Sequence, residues 1–205
     1  ATLVALGLRL LFVLRFPVAS EDAELYLQFA RNWADHHVYG FWVNGQLVPT
    51  DLRTPGYPAF LAAVAMLFGR SIRAILLSQA ALDIITCFLT AALAAALAPA
   101  GARRRAWIFA LWLAATCPFV ANYSAIVLTE VLVTFLGTAA LYSFALGLRR
   151  ASGSLVLRDA HNRATPSAFA LLGAFFTGLA TLVRPEMPLL LAVACLLFML
   201  RGWIA

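Results

Sequence analysis

The feature that most restricts this chain is a succession of long apolar runs separated by short charged or proline-containing breaks. A helix needs ~20 largely apolar residues to cross ~30 Å of hydrocarbon, where the backbone must satisfy its own hydrogen bonds. Candidate runs lie at residues 2–18, 72–98, 106–121, 124–147, 167–183 and 187–203, about six spans. Composition agrees: 63% of residues are hydrophobic and the mean hydropathy is +0.90, far above the ~45–50% apolar content of soluble domains. The expected fold is therefore all-α, a polytopic transmembrane helical bundle forming a single domain over residues 1–205. Because the chain begins with alanine and ends in or just past an apolar run, we expect it to be the N-terminal part of a longer protein.

The first run carries Arg9 and Arg15 and lacks a small-residue cleavage site, so it reads as a span and not as a signal peptide. The last two runs are short and are divided by Arg184 and Pro185, a pattern that suits a tight hairpin that does not fully cross. Tyr57 to Gly69 is apolar but only about 13 residues long, too short for an ordinary span. If it crosses, the acidic segment before it shares a side with Arg103, Arg104, Arg105, Arg149, Arg150, Arg158 and Arg163; if it lies in the interface, the two face opposite sides. The second arrangement obeys the positive-inside rule better. It places the arginine-rich loops in the cytoplasm and residues 19–71 outside as a loop with surface helices between the first two spans, with Arg70 and Arg73 as interfacial exceptions.

The net charge of +6 does not indicate nucleic acid, because lysine is absent and the arginines sit in short runs between apolar segments. Cys87, Cys117 and Cys195 each lie in an apolar stretch without Cys-x-x-Cys spacing, so they read as small core residues and suggest neither disulfide nor zinc site. In the external loop five of the nine acids, Glu21, Asp22, Glu24, Asp35 and Asp51, face Arg31 and Arg53. Ser20 to Ala34 reads as an amphipathic surface helix with Ser20 as N-cap and Leu25, Tyr26, Phe29, Ala30 and Trp33 on one face. Tyr39 to Asp51 has the composition of a loop, ending at the Pro55-Gly56-Tyr57-Pro58 turn.

Asp22 stands four residues before Tyr26, so the two share a helix face; Asp22 is either a reactive carboxylate at the interface or, with Glu21, a complement to the helix dipole. Glu130 falls within the apolar run Ala125 to Leu136, about two turns below the external end, where a carboxylate needs a partner or a watery cavity. Arg9 and Asp83 are opposite intramembrane charges, expected to pair for structural reasons. Arg53 and Arg184 are cations near the external face; each suits phosphate oxygens through its planar fork, or serves as a salt bridge or headgroup anchor. His36 and His37 beside Asp35 fit a solvated helix end better than a metal site.

The order of these pieces is informative: Glu21-Asp22-Ala23-Glu24-Leu25-Tyr26 and Ala30-Arg31 after a first span, Arg53-Thr54-Pro55-Gly56-Tyr57-Pro58 leading to Leu67-Phe68-Gly69, then Leu128-Thr129-Glu130, then Gly178 to Glu186 ending Val183-Arg184-Pro185-Glu186. In this the chain resembles the GT-C glycosyltransferases, and more narrowly the bacterial branch related to protein O-mannosyltransferases and the aminoarabinose transferases of lipid A, including Rgt-type lipopolysaccharide glycosyltransferases. The resemblance covers essentially the whole chain, as the N-terminal part of such an enzyme. It implies transfer of a sugar, with inversion, from a polyprenyl-phosphate donor to a lipid, glycan or protein acceptor of the cell envelope, at the outer face of the inner membrane. The first-loop aspartate of that family matches Asp22, and the basic residue of its proline-containing motif matches Arg53. Glu21 in place of a second aspartate, and alanine after Asp22 where many relatives have another acid, are departures that leave the role of Glu24 open.

On that reading Asp22 is the base that accepts the acceptor's hydroxyl proton, Arg53 and Arg184 hold the lipid phosphate, and Glu21, Glu24, Tyr26, Tyr57 and Glu130 position donor or acceptor. No cofactor is firmly implied; a divalent metal is not required, and no residue supports one. The partners would be membrane lipid, the polyprenyl-phosphate sugar and the acceptor, with no nucleic acid. Two rivals are a secondary transporter using Asp83, Glu130 and Arg184 as a midplane path, and a non-catalytic membrane subunit.

Overall fold

A computed structural model describes residues 1–18, 21–154 and 168–204. Ser20, Arg158 and Arg163, and the side chains of Glu21 and Arg150, lie outside the described residues. The chain is mainly helical, as expected. It contains α1 (Thr2–Arg15), α2 (Glu21–His36), β1 (Gly40–Val43), β2 (Gln46–Pro49), α3 (Gly56–Phe68) and α4 (Ile72–Leu97), followed by α5 (Arg103–Thr116), α6 (Pro118–Tyr123), α7 (Glu130–Ser154), α8 (Ala168–Val183) and α9 (Pro188–Ile204).

Among the described residues two helices, α4 and the Glu130–Arg149 part of α7, are long and apolar enough by length and composition to cross a membrane. At about 1.5 Å per residue the 26 residues of α4 span ~39 Å, whereas α1 with 14 residues reaches ~21 Å. Two of the expected runs prove not to be continuous helices. The run 106–121 breaks at Cys117, because Pro118 has no N–H to bond the carbonyl one turn earlier. The run 124–147 becomes helical only at Glu130, because a turn at Ser124 and Ala125 and a single bridge at Ile126 interrupt it, held by a bond from the Val18 N–H to the Ala125 carbonyl (3.1 Å) and by the Gln79 amide on Ile126 O (2.7 Å).

Contacts set the helix directions. Ala1 packs beside Cys87, Ala91 and Leu111, Arg9 meets Asp83, and Val13 joins the cluster of Leu76 and Ala80, so α1 runs antiparallel to α4. The turn at residues 98–102 returns the chain as α5, and α7 starts at the same end as α4 and descends beside it. On α8, Gly173 packs against the Phe144 ring of α7 so closely that a Cβ would sit 2.5 Å from it; α9 follows with Ala194 against Ala140 and Phe144. One end of the bundle thus carries the α1–α2 junction, α2, the hairpin, α3 and the first turns of α4, α7 and α9. The other carries Arg103, Arg104, Arg105 and Arg149. The acidic loop and these arginines lie at opposite ends of the bundle.

The main core joins α1, α2, α3, α4, α7 and α8 through Val13, Leu27, Tyr57, Leu61, Leu76, Leu132 and Val183. Many large apolar side chains point outward, among them Leu3 at 82% exposure, Leu113 at 72% and Leu189 at 70%. So much apolar surface on helix flanks is foreign to a water-soluble monomer. It also corrects one expectation: Cys87 is a core residue, Cys117 is half-buried, and Cys195 is exposed on α9. Outward positions on these helices are as apolar as the core, so composition cannot separate the two.

The Arg9 and Asp83 pairing occurs as expected, with Arg9 Nε donating to Asp83 Oδ2 at 2.8 Å and both side chains buried. The same guanidinium also donates to Ala115 O (2.6 Å) and Ala114 O (3.0 Å). The Ala114 carbonyl lies four residues before Pro118, so its helical donor does not exist, and Arg9 supplies it from another helix. A cation at the negative end of α5 is also electrostatically favourable.

Residues 39–51 differ from the expected loop. β1 and β2 pair antiparallel from Gly40 opposite Pro49 to Val43 opposite Gln46, around Asn44 and Gly45 at φ 50° and 80°. Asn-Gly with both φ positive is the preferred two-residue hairpin turn. Asn32 ties the hairpin to α2, donating to Gly40 O (2.8 Å) and accepting from Trp42 Nε1 (3.2 Å). The exposed Arg70 and Asp35 form an ion pair that joins the ends of α3 and α2 and draws the Asp35 carboxyl below its ordinary range.

Candidate functional site

The first-loop turn and the Val183-Arg184-Pro185-Glu186 break, far apart in sequence, meet in space. Thr54 Oγ1 donates to Val183 O at 2.7 Å, satisfying a carbonyl at the C-terminus of α8 that has no helical donor. Gly56 lies directly on the Leu182–Val183 backbone: a Cβ there would stand 2.6 Å from Leu182 C and O. Only glycine permits that approach. Together they place the start of α3 beside Arg184.

Around this junction the structure gathers most of the residues singled out from sequence. Asp22 and Tyr26 share one face of α2, as their spacing requires, and Arg53 engages both: Nη2 bonds Asp22 Oδ1 at 2.8 Å and Cζ lies 6.0 Å from the Tyr26 ring centroid. The Tyr26 ring meets Tyr57 edge-on with centroids 5.1 Å apart. Tyr57, fully buried, donates to Gln79 Oε1 at 2.6 Å. Across from them Arg184 donates through Nη2 to Glu130 Oε1 (2.5 Å) and through Nε to Thr129 Oγ1 (3.1 Å), with Glu186 Oε1 3.7 Å from Nη1.

Tyr26 lies within electrostatic reach of both ion pairs. Its hydroxyl titrates above the ordinary range, chiefly because of burial, with Arg53, Asp22, Glu130 and Arg184 all within electrostatic reach. Tyr39 closes the hairpin side, donating to the carbonyls of Arg53 (2.9 Å) and Thr54 (3.3 Å); burial pushes its pKa up to about 12, so it stays a donor at neutral pH.

Glu130 does not lie two turns into a helix. It is the first residue of α7, following Thr129, whose carbonyl accepts the first helical bond from Val133 N–H. There its carboxylate benefits from the positive end of the helix dipole. Its Oε1 is held by Arg184, while Oε2 is buried with no hydrogen-bond partner among the described residues. A buried carboxylate oxygen in that condition is an acceptor waiting for a donor.

Glu24 is not brought into this cluster. It lies 3.7 Å from Arg31, both exposed, and borders a different cavity of about 400 Å³ formed by Leu14, Leu27, Arg73 and Leu76 among others. Glu21 opens α2. Asp83 is bound to Arg9 on α1 and shares no contact with Glu130 or Arg184, so the three do not form one path. His36 stacks edge-on against Trp42 at 5.8 Å and His37 closes α2 at φ 56°. Among the described residues no group of three or more His, Cys, Asp or Glu is placed to hold a metal ion.

Sequence reasoning missed Gln79, Thr54 and Thr129. Gln79 is fully buried and bridges Tyr57 to the Ile126 carbonyl (2.7 Å), fixing α3 against the segment that leads to Glu130. A lone amide in an apolar run was its available signal. The arrangement as a whole offers an exposed carboxylate, two guanidiniums and a buried acceptor oxygen around two tyrosines, able to bind an anion and to take a proton beside it. Compared with known protein families, characterised proteins and solved structures, the chain matches none.

Proposed function

We propose that this protein is a multi-pass membrane glycosyltransferase, moving a sugar with inversion from a polyprenyl-phosphate donor to a cell-envelope acceptor. The observation that carries the reading is the meeting of Asp22, Arg53 and Tyr26 with Glu130 and Arg184 at one end of an apolar bundle. Residues from the first loop and from the α8–α9 break would have no reason to converge if each only decorated its own helix. The outward apolar flanks support a lipid surround, and the separation of the acidic end from Arg103, Arg104, Arg105 and Arg149 supports an extracytoplasmic site in the inner membrane.

In the proposed reaction the acceptor hydroxyl oxygen attacks the anomeric carbon as the bond from that carbon to the phosphate oxygen breaks. The polyprenyl phosphate leaves with the electron pair, and the Asp22 carboxylate takes the hydroxyl proton. The leaving phosphate is already a weak base, so the protein need only hold it electrostatically, a task for Arg53 with Arg184. Glu130 Oε2, buried and within electrostatic reach of Tyr26, suits a hydroxyl of the bound sugar.

The test is transfer by the full-length protein in nanodiscs with a panel of polyprenyl-phosphate sugars. Asp22→Asn should abolish transfer while expression and thermal stability stay at wild-type levels; undiminished turnover in that variant would remove Asp22 as the base.

A further inference from the structure

The charges at the site are unbalanced: three carboxylates, Asp22, Glu130 and Glu186, face two guanidiniums, Arg53 and Arg184. A donor phosphate would add negative charge to a set already in excess, and repulsion between it and a carboxylate on the same cation favours exchanging one for the other. Arg184 is the poorer candidate. Its three nitrogens are directed at Thr129, Glu130 and Glu186.

Arg53 is held differently. A single bond from Nη2 joins it to Asp22, and the two side chains are 40% and 53% exposed. A pair this exposed is weak in water. A phosphate offers several oxygens to the guanidinium fork, where Asp22 accepts one bond. The Tyr26 face under Arg53 Cζ gives the guanidinium a support that does not depend on which anion it holds.

We infer that Asp22 and Arg53 form an exchangeable latch, in which the donor phosphate takes Arg53 from Asp22 and thereby frees the carboxylate to act as base. The inference rests on the glycosyltransferase reading. It implies an order: donor first, base second. Before the donor binds, the carboxylate that would activate a hydroxyl is tied to a cation.

The experiment measures binding of a polyprenyl phosphate without sugar to the full-length protein in nanodiscs. Asp22→Asn releases Arg53 and should tighten binding about 1.5- to fivefold, the range an exposed pair can supply, although the same variant loses transfer. Arg53→Gln should weaken binding. Asp51→Asn removes an equal charge two residues from Arg53 without touching the pair and should leave binding unchanged. Unchanged or weaker binding in Asp22→Asn, or an equal gain in Asp51→Asn, overturns the latch while leaving the glycosyltransferase reading in place. Absence of polyprenyl phosphate binding in the wild-type protein overturns both.

Discussion

We predict that Arg9 and Asp83 are energetically coupled by at least ~3 kcal/mol, a figure that follows from their burial. Arg9 is 0% exposed and Asp83 2%, so neither charge can turn to water when its partner is removed. Arg9→Met strands the Asp83 carboxylate, which costs ~3–5 kcal/mol for a buried pair. It also takes the donors from the Ala114 and Ala115 carbonyls, adding roughly 1 kcal/mol or more each. Asp83→Asn strands the guanidinium and costs a similar ~3–5 kcal/mol. In the double variant no charge is left buried, and the two carbonyls and the uncharged amide at position 83 go unmet. Both stranding costs of ~3–5 kcal/mol disappear and only the amide cost of ~1–3 kcal/mol replaces them, so its destabilisation should fall at least ~3 kcal/mol short of the sum of the single changes. The assay is reversible unfolding in mixed micelles, followed by the fluorescence of the five tryptophans. Additivity to within ~0.5 kcal/mol, the behaviour of independent sites, would refute the reasoning.

Other outcomes follow from the same contacts. Gly56→Ala should destabilise the fold by ~1–3 kcal/mol and reduce any transfer activity, since the new Cβ would meet the Leu182 carbonyl at 2.6 Å; Gly137→Ala, in open space on α7, should be neutral or stabilising in the same thermal assay. Tyr39, ordinarily ionising near 10.0 and here at about 12, should contribute stability that is complete below the ordinary value and lost as pH rises towards 12. Alkaline melting curves that steepen equally in Tyr39→Phe would contradict this. Arg184→Gln should be more destabilising than Arg53→Gln, because it leaves Glu130 with neither oxygen paired, whereas Asp22 can turn to water; equal melting temperatures would count against that ranking.

The apolar runs located the helices well, and the spacing of Asp22 and Tyr26 placed both on one face of α2. The opposite charges of Arg9 and Asp83 were enough to anticipate their pairing, since a buried charge demands a partner. Hydropathy could not show where an apolar run stops being helical. Glu130 was read as lying inside a helix because the turns before it are as apolar as a helix, and are held out of helix by Gln79 and Val18, which are distant in sequence. The hairpin was legible in Asn44-Gly45 but was obscured by the loop-like composition around it. The value of Gly56 and Thr54 could not be read locally, because what fixes them is the end of α8.

That contact has a consequence for biosynthesis. Thr54 and Val183 are separated by 129 residues, so a growing chain carries Asp22, Tyr26 and Arg53 long before the surface that completes their surroundings has been made. Until α8 emerges, the α3 turn has no carbonyl to cap and Tyr26 has no second ion pair beside it. A nascent or truncated chain therefore presents the acidic loop without its later partners, and the proposed activity would arrive only with the closing of the bundle.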